Sequence, residues 1–228
     1  MRRPIYIAIL LAGLAAVAGA EIIDRIAVSV GSRVITETDL DREIRITAFL
    51  NNAPLRSRLG TSRLGTSRLG NEEKREAAER MVDQTLLRSE LEASRYPPPS
   101  AADTEAALQE EKARFGDDAA YRRALAEYGV GEDDLKARLT WQLTLVRFID
   151  VRFRPGIQIG EEEIRKYFDD HMRAGLMEAH PGQTPSVDDQ RAGIEQTLIS
   201  QAANQQVEQW LKEARRRTHI QYHDEVFQ

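Results

Sequence analysis

The alternation of apolar and polar residues near the start of the chain predicts a β-hairpin that leads directly into a helix. Apolar residues occupy every second position of residues 26–30, and Gly31-Ser32 then interrupts the pattern. Alternation closed by a two-residue turn with glycine first is typical of a hairpin. Thr36 follows with Asp39 three residues on, so each can satisfy a free backbone N–H of the other. This pair predicts the N-terminal cap of the first helix.

Helical periodicity governs most of the remaining chain. Apolar residues recur every three to five positions, and proline, glycine or capping residues separate the periodic segments. Residues 172–186 contain two glycines and two prolines and are predicted to form a loop. The predicted helices run from after residue 36 to about 51, from a cap at Asn71 to the prolines at 97–99, over 100–116, around 121–128, over about 135–153, and over 160–171 and 187–217.

The last residues return to a strand pattern. Residues 219–223, HIQYH, alternate between polar and apolar positions. Because an isolated two-stranded hairpin is only marginally stable, we expect this segment to pair with the N-terminal hairpin. The sequence thus predicts a mainly α fold, a multi-helix module with a small antiparallel sheet made by the N-terminal hairpin and the C-terminal strand.

The first 20 residues have the composition of a secretory signal peptide. Arg2 and Arg3 precede an apolar run over residues 5–17, and small residues lead to a predicted cleavage site after Ala20. The alternative is a membrane anchor, although the run is shorter than the roughly 20 apolar residues of a spanning helix. We therefore expect a protein exported to the periplasm or beyond, with residues 21–228 forming its one folded domain.

Composition narrows the possible partners. Loss of the two arginines at the N-terminus would change the formal net charge from −5 to −7, and an acidic chain is a poor match for nucleic acid. The chain has no cysteine, which excludes disulfides, thiol nucleophiles and cysteine-based zinc sites. The length is sufficient for a hydrophobic core without such crosslinks.

A short repeat interrupts the helical pattern between residues 51 and 70. The motif SRLG occurs three times at five-residue spacing, which matches neither a helix nor a strand, so a mobile loop is predicted. The segment carries four arginines and no acidic residue. It is either a tolerated expansion at a surface loop or a basic segment for acidic clients or phosphate headgroups, and any membrane contact would be peripheral.

Candidate catalytic and metal-binding residues are few. His219 and His223 would lie about 13 Å apart on the predicted strand, too far to share one ion. His171 and His180 lie near a helix end and in a Pro-Gly loop, and no phosphate-binding loop, nucleophile elbow or HExxH motif occurs. We expect no cofactor, no metal and no catalytic residue.

Several segments, in their order along the chain, resemble those of a known family. Residues 26–41 look like its opening strand-turn-strand-cap signature, 77–91 look like its second helix, and 157–167 look like its later helix. Between them, Phe115-Gly116 and the stretch around Tyr128-Gly129 follow in the same order. Taken together they resemble the N-terminal chaperone domain of the SurA-like, parvulin-associated family of exported folding factors.

The chain departs from that family at one point. In full-length relatives a parvulin-type prolyl isomerase domain follows the helix equivalent to residues 160–171, whereas here only residues 172–186 precede the final helix. The resemblance therefore implies a chaperone module that lacks its isomerase. It would act as a periplasmic holdase that binds unfolded secreted or outer-membrane proteins without turnover.

Such a module would hold extended clients between helices by apolar contact and by backbone pairing. Each candidate client-binding residue has the alternative of packing in the core, as aromatic residues at helical spacing normally do. Two other functions remain open, a structural adaptor that binds one folded partner in an envelope assembly complex and an enzyme with residual isomerase activity. The oligomeric state stays open. The candidate residues are Phe115, Tyr121, Tyr128, Trp141, Leu145 and Phe148.

Overall fold

The protein is mainly helical, with one small sheet. A computed structural model describes residues 24–55, 70–179 and 185–228. The predicted signal peptide, residues 56–69 of the repeat segment and His180 lie outside these described residues. In chain order the elements are β1 (Ile26–Val30), β2 (Arg33–Thr36), α1 (Glu37–Leu50), α2 (Asn71–Ala93), α3 (Ala101–Ala113), α4 (Asp118–Tyr128), α5 (Glu132–Arg152), α6 (Glu161–His171), α7 (Arg173–Ala179), α8 (Val187–Arg217), β3 (Ile220–Tyr222) and a 3-10 turn, Asp224–Val226.

The sheet joins the two ends of the described chain. Its strand order is β2-β1-β3, and both pairings are antiparallel. Gly31 takes a φ of +59°, which glycine adopts without strain, and its N–H donates to the carbonyl of His219 at 2.8 Å. The turn of the hairpin is thus bonded to the C-terminal segment. The predicted fold class, including the pairing of the last strand with the hairpin, is confirmed.

Local capping explains where several helices begin. Asp39 N–H donates to Thr36 Oγ1 at 3.2 Å and Thr36 N–H donates to Asp39 Oδ2 at 3.1 Å, which is the predicted reciprocal cap. The prediction of Asn71 as a cap is wrong by one residue, because α2 already includes Asn71 and Gly70 precedes it in an extended conformation. Boundary shifts of this size are common at helix ends.

The predicted loop over residues 172–186 is wrong in its first half, where the chain forms α7. One glycine, Gly175, lies inside this helix and costs about 1 kcal/mol relative to alanine. Good helix formers surround it, and Leu176 packs with Met172 against a buried apolar cluster of the neighbouring helices. This contact with distant residues favours a helix that the local sequence signals do not indicate.

The 31-residue helix α8 connects the parts of the core. At 1.5 Å per residue it is about 46 Å long. Its C-terminal end packs beneath the sheet together with α2, and its middle packs against the C-terminal halves of α2 and α5. Its N-terminal part packs with α6 and α7, and we call these three pieces the arm. The arm has a small core of its own, Ile164, Phe168 and Ile194.

The C-terminal tail is part of the main core. Val226 is 3% exposed and Phe227 is 6% exposed, and both belong to the cluster beneath the sheet. The guanidinium of Arg75 lies 5.2 Å from the centre of the Phe227 ring. The last residues therefore fix β3 onto the sheet.

Candidate functional site

The six candidate client-binding residues divide between two separate clusters. Three of them surround Phe49 of α1, with ring centres 5.6 Å, 6.4 Å and 5.7 Å from it. We call this group the first aromatic cluster, and its members are Phe49, Phe115, Tyr121 and Tyr128. Phe49 is absent from the residues predicted from the sequence, although its position three residues after the apolar Ile46 is a helical signal.

The first aromatic cluster serves mainly as packing for α1, α3, α4 and α5. Tyr121 is 1% exposed, while Phe115 and Tyr128 are half-buried. The hydroxyl of Tyr128 donates to the carbonyl of Ala53 at 3.1 Å. Burial, with the nearby carboxylate of Glu132, raises the pKa of the Tyr121 hydroxyl above its ordinary value. Of its four members, only Phe115 and Tyr128 are partly exposed to solvent.

The other three candidates lie on α5, in a second aromatic cluster. We define it as Tyr96, Trp141, Leu145, Phe148 and Phe153. The Phe148 ring centre lies 5.6 Å from that of Tyr96 and 5.9 Å from that of Phe153, in edge-to-face contacts. Trp141 and Phe148 are buried, whereas Leu145 is half-buried. Only Leu145 of these three candidates reaches solvent to a substantial degree.

A row of apolar side chains on α5 continues from this cluster to the surface. Leu145 and Ile149 are half-buried, and Val146 is 59% exposed. Their spacing of three and four residues makes them neighbours on the helix. We call Leu145, Val146 and Ile149 the α5 apolar strip. Val151 is 63% exposed but lies on a different face, because it is five residues from Val146.

The arm also carries an exposed apolar residue. No residue of α7 is buried, and Met177 is 56% exposed. Two further large apolar residues are exposed in the described part of the chain, and both lie in the sheet. These are Ile26 and Val34, the latter 54% exposed.

Between α1, α2 and α5 lies a polar cleft of about 270 Å³. Glu43, only 7% exposed, lines it, and both of its carboxylate oxygens accept hydrogen bonds from Arg138 Nη1 at 2.7 Å. Gln84 donates to the same carboxylate at 3.3 Å. This ion pair is absent from the features predicted from the sequence. The only signal in the sequence is the position of Glu43. It precedes Ile44 and lies three residues after Leu40, so it falls on the buried face of α1.

The histidines take part in ordinary local contacts. His223 Nε2 lies 3.2 Å from Ser29 Oγ across the sheet, and the His171 ring packs 4.7 Å from the Tyr167 ring. Within the described ranges, no group of three or more histidine or acidic side chains is placed to hold a metal ion. None of the helices in these ranges combines the length and apolar character that a membrane crossing requires.

Comparison with known proteins yields no assignment. No protein-family model matches the chain, and no curated protein matches it with significance. The resemblance to the SurA-like family therefore stays a prediction from the sequence.

Proposed function

We propose that the protein is a holdase-type chaperone of the periplasm, which binds unfolded secreted or outer-membrane proteins without catalysing their isomerisation. The observation that carries this proposal is the α5 apolar strip. It continues a buried aromatic cluster to the surface, and the described residues place nothing over Val146. A continuous apolar row that reaches solvent suits binding of apolar polypeptide.

The strip suits weak and reversible binding. Burial of exposed apolar surface is worth about 25 cal/mol per Å², so three aliphatic side chains contribute a few kcal/mol at most. That is enough to retain a client that offers many apolar segments in turn, and too little to hold any one of them permanently. Holding of this kind needs no catalytic group.

The position of the arm supports binding without isomerisation. Only residues 172–186 separate α6 from α8, and Arg173–Ala179 of this segment form α7. A segment of this length is too short for the parvulin domain that the family resemblance would place at this point. Export to the periplasm is proposed from the signal-like residues 1–20 alone.

Light scattering of a β-barrel protein diluted from urea tests the proposal. We expect the mature protein at a few-fold excess to suppress aggregation, and Val146→Ser to weaken that suppression. Val34→Ser is the matched control, because it removes the same side chain at 54% exposure against 59%. Equal effects of the two variants, or no suppression by the unaltered protein, would contradict the proposal.

A capture experiment with the protein immobilised on a resin distinguishes a holdase from an adaptor. A holdase captures a spread of unfolded chains, and it does so less well when the clients are folded. Stoichiometric capture of one folded protein would favour an adaptor instead.

A further inference from the structure

The polar cleft between α1, α2 and α5 contains one arginine that lacks a carboxylate partner. The Arg88 guanidinium lies 4.1 Å from the centre of the Trp141 ring and lines the cleft. It forms no ion pair or hydrogen bond with another residue of the described ranges. The nearby carboxylate of Glu92 binds Arg33 instead.

The carboxylates that line the cleft are already engaged. Glu43 accepts two hydrogen bonds from Arg138, and Asp39 caps α1 through Thr36. Asp134 lies 3.4 Å from Arg42 Nε. None of these three acidic groups therefore forms an ion pair with Arg88.

The cleft is lined by three arginines and three carboxylates, and Arg88 is the arginine that has no ion-pair partner among the described residues. Burial and repulsion from Arg138 and Arg33 lower the pKa of Arg88, and attraction to Glu43 and Glu92 offsets only part of this effect. Arg138 binds Glu43 through Nη1, and its Nη2 donates no hydrogen bond to a described residue. An anion in the cleft would receive hydrogen bonds and reduce this repulsion.

We propose that the cleft binds a carboxylate ligand, with the Arg88 guanidinium over the Trp141 ring as the group that recognises it. A planar guanidinium whose N–H groups are unpaired can donate two parallel hydrogen bonds to a carboxylate. The volume of about 270 Å³ admits a carboxylate on a short aliphatic chain and little more. The two sources of such a group are an acidic side chain of a polypeptide and a small free dicarboxylate.

This inference does not depend on the proposed function, since the cleft and the α5 apolar strip are made of different residues. Loss of holdase activity in Val146→Ser, with carboxylate binding unchanged, would leave it intact. Conversely, a protein that fails to suppress aggregation can still bind a carboxylate at Arg88.

Isothermal titration of the full chain tests the proposal with three probes, namely glutarate, an unstructured peptide containing glutamates and the same peptide with glutamines. We expect the glutamate peptide or glutarate to bind. The glutamine peptide should bind at least about tenfold more weakly than whichever carboxylate probe binds. Binding of glutarate identifies a small-molecule site, and binding of the glutamate peptide alone identifies a polypeptide site.

Variants of two arginines of α2 make the test specific. Arg88→Gln should weaken binding about tenfold or more, whereas Arg80→Gln should not, because Arg80 is 44% exposed, pairs with Glu76 and does not line the cleft. Arg88→Lys keeps the charge but loses the planar fork, so it should restore only part of the affinity. Carboxylate binding should also change the Trp141 fluorescence in a Trp210→Phe background. Failure of every carboxylate probe to bind, or equal binding by Arg88→Gln, would overturn the proposal.

Discussion

Replacement of Phe227 by alanine should destabilise the whole fold, although the residue is the last but one in the chain. The side chain is 6% exposed and packs in the same cluster as Val28 of β1 and Tyr222 of β3. Phe→Ala in a core costs about 3–5 kcal/mol. Because Phe227 directly follows a single 3-10 turn, which can relax more easily than a helix interior, we expect the lower figure, about 3 kcal/mol.

Urea unfolding followed by circular dichroism measures this loss, with Trp210 fluorescence as a second probe because Trp210 packs against the same cluster. For a protein of this length, about 3 kcal/mol corresponds to a decrease in Tm of roughly 6–12 °C. The control is Met177→Ala in the arm, which removes a side chain that is 56% exposed and should change stability by less than about 0.5 kcal/mol.

A loss below about 1 kcal/mol for Phe227→Ala, with an unchanged urea dependence, would refute the reasoning. It would mean that the C-terminal tail does not contribute to the core and that β3 is held by the sheet hydrogen bonds alone.

Three further predictions concern charges near α1. Burial raises the pKa of Asp41 above its usual 3.8, so its ionisation opposes folding above that pH, and Asp41→Asn should raise the urea midpoint at pH 7 but not at pH 3. Burial alone would raise the pKa of Glu37, but hydrogen bonds from Lys74 and Arg25 lower it below 4.5. Glu37→Gln should therefore cost about 3 kcal/mol at pH 7, and the loss should shrink as the pH falls through the folded-state pKa. Glu43→Gln leaves the Arg138 charge without its partner and should also cost about 3 kcal/mol, measured by urea unfolding.

A specific result would contradict each of these three predictions. The Asp41 prediction fails if Asp41→Asn is destabilising at pH 7, and the Glu37 prediction fails if the loss is the same at pH 7 and pH 3. For Glu43, the double replacement Glu43→Leu with Arg138→Met should cost less than Glu43→Gln alone, because it leaves no unpaired charge. A larger loss in the double variant would argue against this account.

Features determined by neighbouring residues were predictable from the sequence. The hairpin turn at Gly31 and the Thr36 cap depend on contacts within a few residues, and α8 was predicted at its observed bounds. The pairing of the last strand with the hairpin followed from a general argument about marginal hairpins, although the two segments are far apart in sequence.

The pairing of individual polar side chains and the coverage of apolar faces depend on distant contacts and were not predictable. Glu43 and Arg138 are 95 positions apart, and neither has a local signal that distinguishes a buried ion pair from two surface charges. Helical periodicity placed Leu145 and Phe148 on apolar faces of α5, but it cannot tell which part of a face another helix covers. For that reason the exposed Val146 was absent from the predicted client-binding residues. Burial of Phe227 was missed for the same cause.

The central claim is that the α5 apolar strip contacts unfolded polypeptide. A photoreactive benzophenone side chain placed at position 146, and in a separate variant at position 34, tests this contact directly with an unfolded β-barrel client. The account predicts strong crosslinking from position 146, little from position 34, and loss of the crosslink when the client is folded beforehand. Equal crosslinking from both positions, or none from position 146, would contradict it.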